Sequence, residues 1–265
     1  MSSTAKDAVP LVAIVGPTAS GKSALSVRLA ERLGGEVVVC DSTQVYRGVD
    51  IGTAKLPPAE RGGIPHHLVD LIEPGELFTA DDYRRRALEV LDDMRRRGNL
   101  PIFAVGTGLY FRALVEGLAD APARSEELRA RLRRRAEQHG SAYLHRILAR
   151  LDAQAAARIA PRDANKLIRA IEVCVLAGKP LSEVYRAGQP PLEAFAPVKI
   201  GLMPPRAALY QRIHQRVEAM LATGWLDEVR RLTEAGLPAK AKPFQFIGYG
   251  ELRAHLEGTD RKSVV

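Results

Sequence analysis

Two cysteines in 265 residues, Cys40 and Cys174, are too few and too far apart for a disulfide framework or a cysteine metal site. Reduced thiols and a cytoplasmic setting follow as the expectation, and Cys40, inside an apolar run, reads as core filler. No apolar run approaches the length that spans a bilayer, and residues 1–10 lack the apolar stretch of a signal peptide, so no membrane partner is expected. Internal repeats and low-complexity tracts are absent. His66 and His67 have no third ligand nearby, which favours strand entry or core over metal binding. No acidic pair follows an apolar strand where a motor NTPase would carry one.

What is present begins with Gly16-Pro17-Thr18-Ala19-Ser20-Gly21-Lys22-Ser23, which fits GxxxxGK[ST] at every fixed position. Leu11-Val12-Ala13-Ile14-Val15 ahead of it reads as a buried parallel strand. Leu25, Leu29, Ala30 and Leu33 behind it recur at helical spacing, with Gly34-Gly35 as the stop. Strand, glycine turn and helix together make a phosphate loop: backbone N–H groups converge on an anion at a helix N-terminus. Lys22 then reaches a terminal phosphate, and the Ser23 hydroxyl sits on magnesium. A bound di- or triphosphate is implied, and the loop alone does not say which.

Glu36-Val37-Val38-Val39-Cys40 reads as a second buried strand ending in Asp41. Ligand groups in doubly wound sheets gather beyond the carboxyl ends of strands, so Asp41 faces the same crevice as the loop. A turn residue, a magnesium ligand and a general base are equally open readings for it. Residues 66–72 read as a third strand. Thr79-Ala80-Asp81-Asp82 resembles a capping box opening a helix to Met94, with Arg84, Arg85 and Arg86 outward and Gly98 as the stop. Residues 101–105 are a fourth strand, running into Gly106-Thr107-Gly108 with the Thr107 hydroxyl aimed at the crevice. Helical patterning fills residues 122–177. Residues 198–202 give a fifth strand, and residues 206–222 and 226–235 two further helices stopped by Gly224 and Gly236. The fold expected is α/β, a P-loop nucleotide-kinase-like parallel-sheet core with an inserted basic all-helical domain. Residues 1–117 and 161–265 form the core and residues 118–160 the insertion.

Net charge is +8, and residues 124–169 carry twelve Lys/Arg against five Asp/Glu, a local excess of 12 − 5 = +7. Nearly the whole excess sits in one helical block. A polyanion partner and a solvated arginine face both fit it.

Four stretches together resemble the tRNA dimethylallyltransferase (tRNA isopentenyl transferase) family. They are the phosphate loop; Asp41-Ser42-Thr43-Gln44-Val45-Tyr46-Arg47-Gly48 with Asp50-Ile51-Gly52-Thr53-Ala54-Lys55; Gly106-Thr107-Gly108-Leu109-Tyr110; and Arg169-Ala170-Ile171-Glu172-Val173. Phe246-Ile247-Gly248-Tyr249 adds a fifth. The resemblance implies that the loop, with Mg2+, holds the diphosphate of dimethylallyl diphosphate. It implies a monomeric enzyme that moves the prenyl group to the exocyclic amine of the adenosine 3′ to the anticodon of tRNA. Asp41 corresponds to the catalytic aspartate and Thr107 to a catalytic threonine. Contacts to the tRNA anticodon stem-loop are implied for Asp41, Ser42, Thr43, Gln44, Thr107, Arg129, Asn165, Lys166, Leu167, Ile168, Arg169, Gln245, Phe246, Ile247, Gly248, Tyr249 and Gly250. Val105, Thr43 and Lys166 depart from the residues usual in the family. Relatives continue past residue 258 into a basic helix, where this sequence runs Thr259-Asp260-Arg261-Lys262-Ser263-Val264-Val265. A C-terminally shortened enzyme of reduced activity is therefore expected. A nucleotide or small-molecule kinase on the same core leaves residues 44–46 and 52–55 unexplained. An inactive tRNA-binding fragment is the other alternative.

Overall fold

The computed structural model describes residues 8–186, 188 and 190–258. Residues 1–7 and 259–265, the latter the stretch expected to depart from the family, lie outside the described residues. Contacts divide the chain into two units, residues 1–115 with 192–265 and residues 116–191.

The first unit is built on five parallel strands: β1 (Val9–Val15), β2 (Gly35–Cys40), β3 (His66–His67), β4 (Leu100–Val105) and β5 (Phe195–Gly201). Their order is β3-β2-β4-β1-β5, so β4 is inserted between β1 and β2. The alternation of side chains along each strand serves both faces. Leu11, Ala13, Val38, Cys40, Phe103 and Val105 point to one layer, where they meet Leu91 and Met94 of α2 (Ala80–Arg97). Phe111 and Leu114 of α3 (Gly108–Glu116) join the same layer. Val12, Ile14, Val37, Val39 and Ile102 point to the other layer, where Ala30 of α1 (Lys22–Leu33) packs. Helices on both faces explain why the central strands read as unbroken apolar runs.

The expected third strand shrinks to two residues. Leu68 (φ 62°) and Asp70 (φ 55°) are left-handed, so the chain leaves the sheet after His67. The capping box at Thr79 forms as expected, with Asp82 N donating to Thr79 Oγ1 and Thr79 N to Asp82 Oδ2. Arg84, expected outward, is a correction. It is buried, and its Nη1 donates to the carbonyls of Ala113 (2.9 Å) and Leu114 (2.5 Å) in the last turn of α3.

The second unit holds α4 (Glu126–His139), α5 (Ser141–Leu151), α6 (Ala153–Arg158), α7 (Ala164–Ala177) and α8 (Leu181–Arg186) around Leu144, Leu148, Leu167 and Ile171. It extends past the expected boundary at residue 160 because α7 packs on α4 and α5, giving residues 161–191 to the helical unit. Beyond β5, the first unit adds α9 (Arg206–Ala222), α10 (Trp225–Glu234) and α11 (Tyr249–Leu256). Gly224, read as a stop, is the N-cap of α10. Among the described residues no helix is long and apolar enough to cross a membrane.

Candidate functional site

The phosphate loop follows β1, and Gly21 caps α1 with no side-chain bond to its first N–H groups. No acidic residue occupies that first turn. The free amides and the positive end of the helix dipole therefore stay available to an anion. The Lys22 ammonium turns back on the loop, donating to the carbonyls of Gly16 (2.9 Å) and Pro17 (2.8 Å). Ser20 Oγ is buried without a hydrogen-bond partner among the described residues. A loop with an orphaned hydroxyl fits a ligand that supplies the missing partner.

Asp41 leaves the carboxyl end of β2 and Thr107 follows β4. Their strands are neighbours, and the Cys40 carbonyl accepts the N–H groups of both Gly106 (2.9 Å) and Thr107 (2.8 Å). Thr107 Oγ1 accepts from Ser42 N at 2.8 Å and lies 3.1 Å from Ser42 Oγ. Asp41 Oδ1 accepts from Thr43 N (2.9 Å) and Thr43 Oγ1 (2.7 Å), a turn that fixes the carboxyl group. Oδ2 has no hydrogen-bond partner among the described residues. It lies against Gly106, where a Cβ would collide with the carboxylate. Burial pushes the thiol of Cys40 beneath this site up to about 12, in keeping with filler.

A second cation joins the site. Arg216 of α9 and Lys22 both feel the Asp41 carboxylate. Burial lowers the Lys22 pKa, Asp41 opposes that shift, and Arg216 adds to it. Burial likewise lowers Arg216, again against Asp41. Two cations and one carboxylate thus share a half-buried space at the carboxyl ends of β1 and β2. Sequence reading missed Arg216, which looks like any other arginine on a polar helix. Its one signal is position, on the first helix after β5, whose carboxyl end opens on the same crevice.

Gln44 sits in the loop after Asp41, with Nε2 donating to the carbonyls of Thr53 (3.0 Å) and Ala54 (3.4 Å). Gln245 and Ile247 are exposed, Ile247 at 92 %, and Phe246, Gly248 and Gly250 are half-buried. Tyr249 is fully buried, its hydroxyl donating to Glu228 Oε1 at 2.5 Å.

In the helical unit Glu172, 0 % exposed, gathers the basic residues. It takes a two-point contact from Arg129 (2.9 and 2.8 Å), another from Arg169 (2.7 Å) and the Ser125 N–H (2.8 Å). Arg129 and Arg169 therefore carry internal bonds. Leu167 and Ile168 place their side chains in the core of the helical unit. Asn165 and Lys166 are exposed, and Lys166 pairs with Asp163 at 2.7 Å. Arg131, Arg133, Arg134 and Arg135 stand exposed on α4.

A parallel sheet of this order, with a phosphate loop on β1 and a carboxylate and hydroxyl beyond β2 and β4, defines a P-loop α/β protein with a kinase-like core. The chain belongs to the IPP transferase family, whose model matches residues 44–265. It is 50% identical over 251 residues to a tRNA dimethylallyltransferase of Solibacter usitatus, covering 94% of this chain and 81% of the relative. It is 52% identical over 248 residues to one of Koribacter versatilis, covering 94% and 80%. The structure is similar to the full-length tRNA isopentenylpyrophosphate transferase of Bacillus halodurans, with TM-score 0.67 and 40% identity over 95% of this chain and 78% of that one. It is also similar to a eukaryotic dimethylallyltransferase acting on tRNA, with TM-score 0.79 and 29% identity over 95% of this chain and 64% of that one.

Proposed function

We propose that this chain transfers the dimethylallyl group of dimethylallyl diphosphate to the N6 amine of the adenosine 3′ to the anticodon in tRNA, releasing diphosphate. One observation carries the reading: an uncapped phosphate loop follows β1 while Asp41, its Oδ1 bonded to Thr43 and its Oδ2 against Gly106, follows β2 at the same edge of the sheet. Kin of this family named for transfer to tRNA support the acceptor.

The chemistry divides between the two ends of the crevice. The amine nitrogen forms a bond to the allylic carbon as that carbon's bond to the diphosphate oxygen breaks. Negative charge grows on the leaving diphosphate, where the α1 amides and Arg216 meet it and Lys22 joins them by leaving the Gly16 and Pro17 carbonyls. The amine loses a proton, and Asp41 Oδ2 is placed to accept it. A positioned base contributes roughly 10²–10⁴-fold. Thr107 holds the loop after Asp41 through Ser42. The target base must leave its stack to reach a carbon held in the crevice.

Among the described residues there is no cluster of three His, Cys, Asp or Glu that could hold a metal. The hard oxygen of Ser23 suits magnesium carried chiefly by substrate oxygens and water. Ser23 would hold that ion, whose contribution is to neutralise charge on the leaving diphosphate. Buried free thiols at Cys40 and Cys174 agree with a cytoplasmic setting.

The test is mass spectrometry of tRNA incubated with the protein, magnesium and dimethylallyl diphosphate. A mass gain of one dimethylallyl group on the nucleoside 3′ to the anticodon is expected. Saturable ATP turnover with unmodified tRNA would overturn the reading in favour of a kinase.

A further inference from the structure

Glu228 on α10 is an acid with only 2 % exposure, and the chemistry above does not use it. Among the described residues no cation pairs with it; four donors from two separate segments do. Oε2 accepts the N–H groups of Asp50 (2.8 Å) and Ile51 (2.8 Å), and Oε1 accepts the Gly52 N–H (3.3 Å) and the Tyr249 hydroxyl (2.5 Å). The first three belong to the loop that starts at Asp41, and the fourth opens α11.

We propose that Glu228 is a positioning residue for the acceptor nucleotide, joining the loop after Asp41 to the segment that leads into α11. The inference rests on the transfer reading above.

From Glu228 the bonds run to the crevice without a gap. The three amides fix a turn closed by Thr53 Oγ1 on the Val49 carbonyl (2.7 Å) and by Lys55 N on the Asp50 carbonyl (2.9 Å). That turn presents the Thr53 and Ala54 carbonyls, which hold the amide of Gln44, three residues beyond Asp41. With its Nε2 so engaged, Gln44 has its oxygen left to accept from a substrate donor such as an amine. Lys55, its side chain 5 % exposed, locks the same turn through Asp50 and Asp70, each at 2.5 Å.

The other arm is aromatic. Trp225 packs edge-on against Tyr249 (5.6 Å between centroids), and Phe246 lies 5.7 Å from Tyr46 in the first loop. A side chain at Gly52 would collide with the Trp225 indole, so this contact admits only glycine. The Trp225 N–H is buried with no hydrogen-bond partner among the described residues, which leaves Trp225 a role of shape. The segment it supports borders a cavity of about 380 Å³ lined by Phe244, Phe246, Ile247 and Glu251. Exposed Ile247 beside an open cavity is a surface for a planar apolar group, the face of a nucleobase. None of the Glu228 bonds reaches residues 16–23, so its loss should spare diphosphate binding.

Two variants test this. Glu228→Gln keeps the size but turns one acceptor into a donor facing other donors. Tyr249→Phe removes a single hydroxyl and should leave the fold intact. Each is compared with the parent by amide exchange, by direct binding of an anticodon stem-loop RNA, and by KM for RNA and for dimethylallyl diphosphate. Faster exchange at residues 50–52 is expected, with RNA affinity and KM weakened at least fivefold and diphosphate KM within twofold. Tyr249→Phe should move the same way by less. Unchanged exchange and RNA affinity in both variants, or equal changes in both KM values, would overturn the inference. A parent that binds RNA but transfers nothing fails the transfer reading alone, and the binding arm still decides the brace. A parent that binds no RNA overturns both.

Discussion

Thr107 accepts the backbone N–H of Ser42 at 2.8 Å, so a hydroxyl beyond β4 sets the loop beyond β2. The proposed base, one residue before Ser42, is thereby held from two sides, by Thr43 along the chain and by Thr107 across the sheet.

Asp41→Asn separates geometry from basicity. The amide oxygen can still accept from Thr43, so the turn should persist while the proton acceptor is lost. Single-turnover prenyl transfer is expected to fall by roughly 10²–10⁴-fold, about 3–5 kcal/mol in barrier, with RNA affinity little changed. Thr107→Val should slow transfer in the same direction and leave the Ser42 N–H unpaired. An Asp41→Asn rate within tenfold of the parent would remove Asp41 from the role of base.

Gly106→Ala places a methyl group against the Asp41 carboxylate. Transfer should slow while pyrophosphate binding, which depends on residues 16–23, stays within about twofold. Isothermal titration beside the transfer assay reads both. Loss of pyrophosphate binding instead would mean that the crevice as a whole had shifted.

Ligand choice is read by thermal shift. A ligand at a hundred times its Kd adds about 2.7 kcal/mol of stability. Dimethylallyl diphosphate or pyrophosphate with magnesium should raise Tm accordingly. Strong stabilisation by ATP alone would point to the kinase reading.

The arginines of the helical unit fall into two kinds. Alanine at Arg133, Arg134 and Arg135, all exposed, should weaken RNA binding and flatten the salt slope by up to about 0.9 per lost phosphate contact, with Tm unchanged. Arg129→Ala strips a partner from buried Glu172, so it should lower the stability of that unit. An unchanged slope in the triple variant would make this a solvated face.

Acid should loosen both units. Bonds from Arg97, helped by His67 and Asn99 and opposed by burial, lower Glu36 to about 2 from 4.5. For Glu172 burial would raise the value, but Arg129, Arg169 and the Ser125 N–H outweigh it and bring it to about 2 from 4.5. Folded values below unfolded ones mean a stabilisation present above pH of about 4.5 and lost as pH falls toward 2. Glu36→Gln and Glu172→Gln should each flatten the decline of Tm across that window. A decline as steep as the parent's in both would assign it to other groups.

Local chemistry made much of this legible. The phosphate loop, the strand ahead of it, the Thr79 cap and the Gly98 stop depend on residues a few positions apart, and each sits where the sequence places it. Long-range partners were not legible. Three consecutive arginines all read as outward, yet Arg84 turns inward because the carbonyls ending α3 need donors, and α3 is some thirty residues away. The third strand stopped early because Leu68 and Asp70 adopt a left-handed backbone that nothing in their side chains announces. Arg216 and Glu228 carry no local mark, since Asp41 and the Asp50–Gly52 amides are more than 170 residues distant from them.

Lys22 bonded to its own loop carbonyls has a consequence for which anions can enter. The ammonium must give up two neutral acceptors before it can hold a ligand. Those bonds already carry the ammonium's charge, so what an incoming ligand adds is the charge of its acceptor, and the gain on exchange grows with that charge. Exchange of these two carbonyls for a ligand is therefore expected to favour an anion of several charges over a dilute monovalent one.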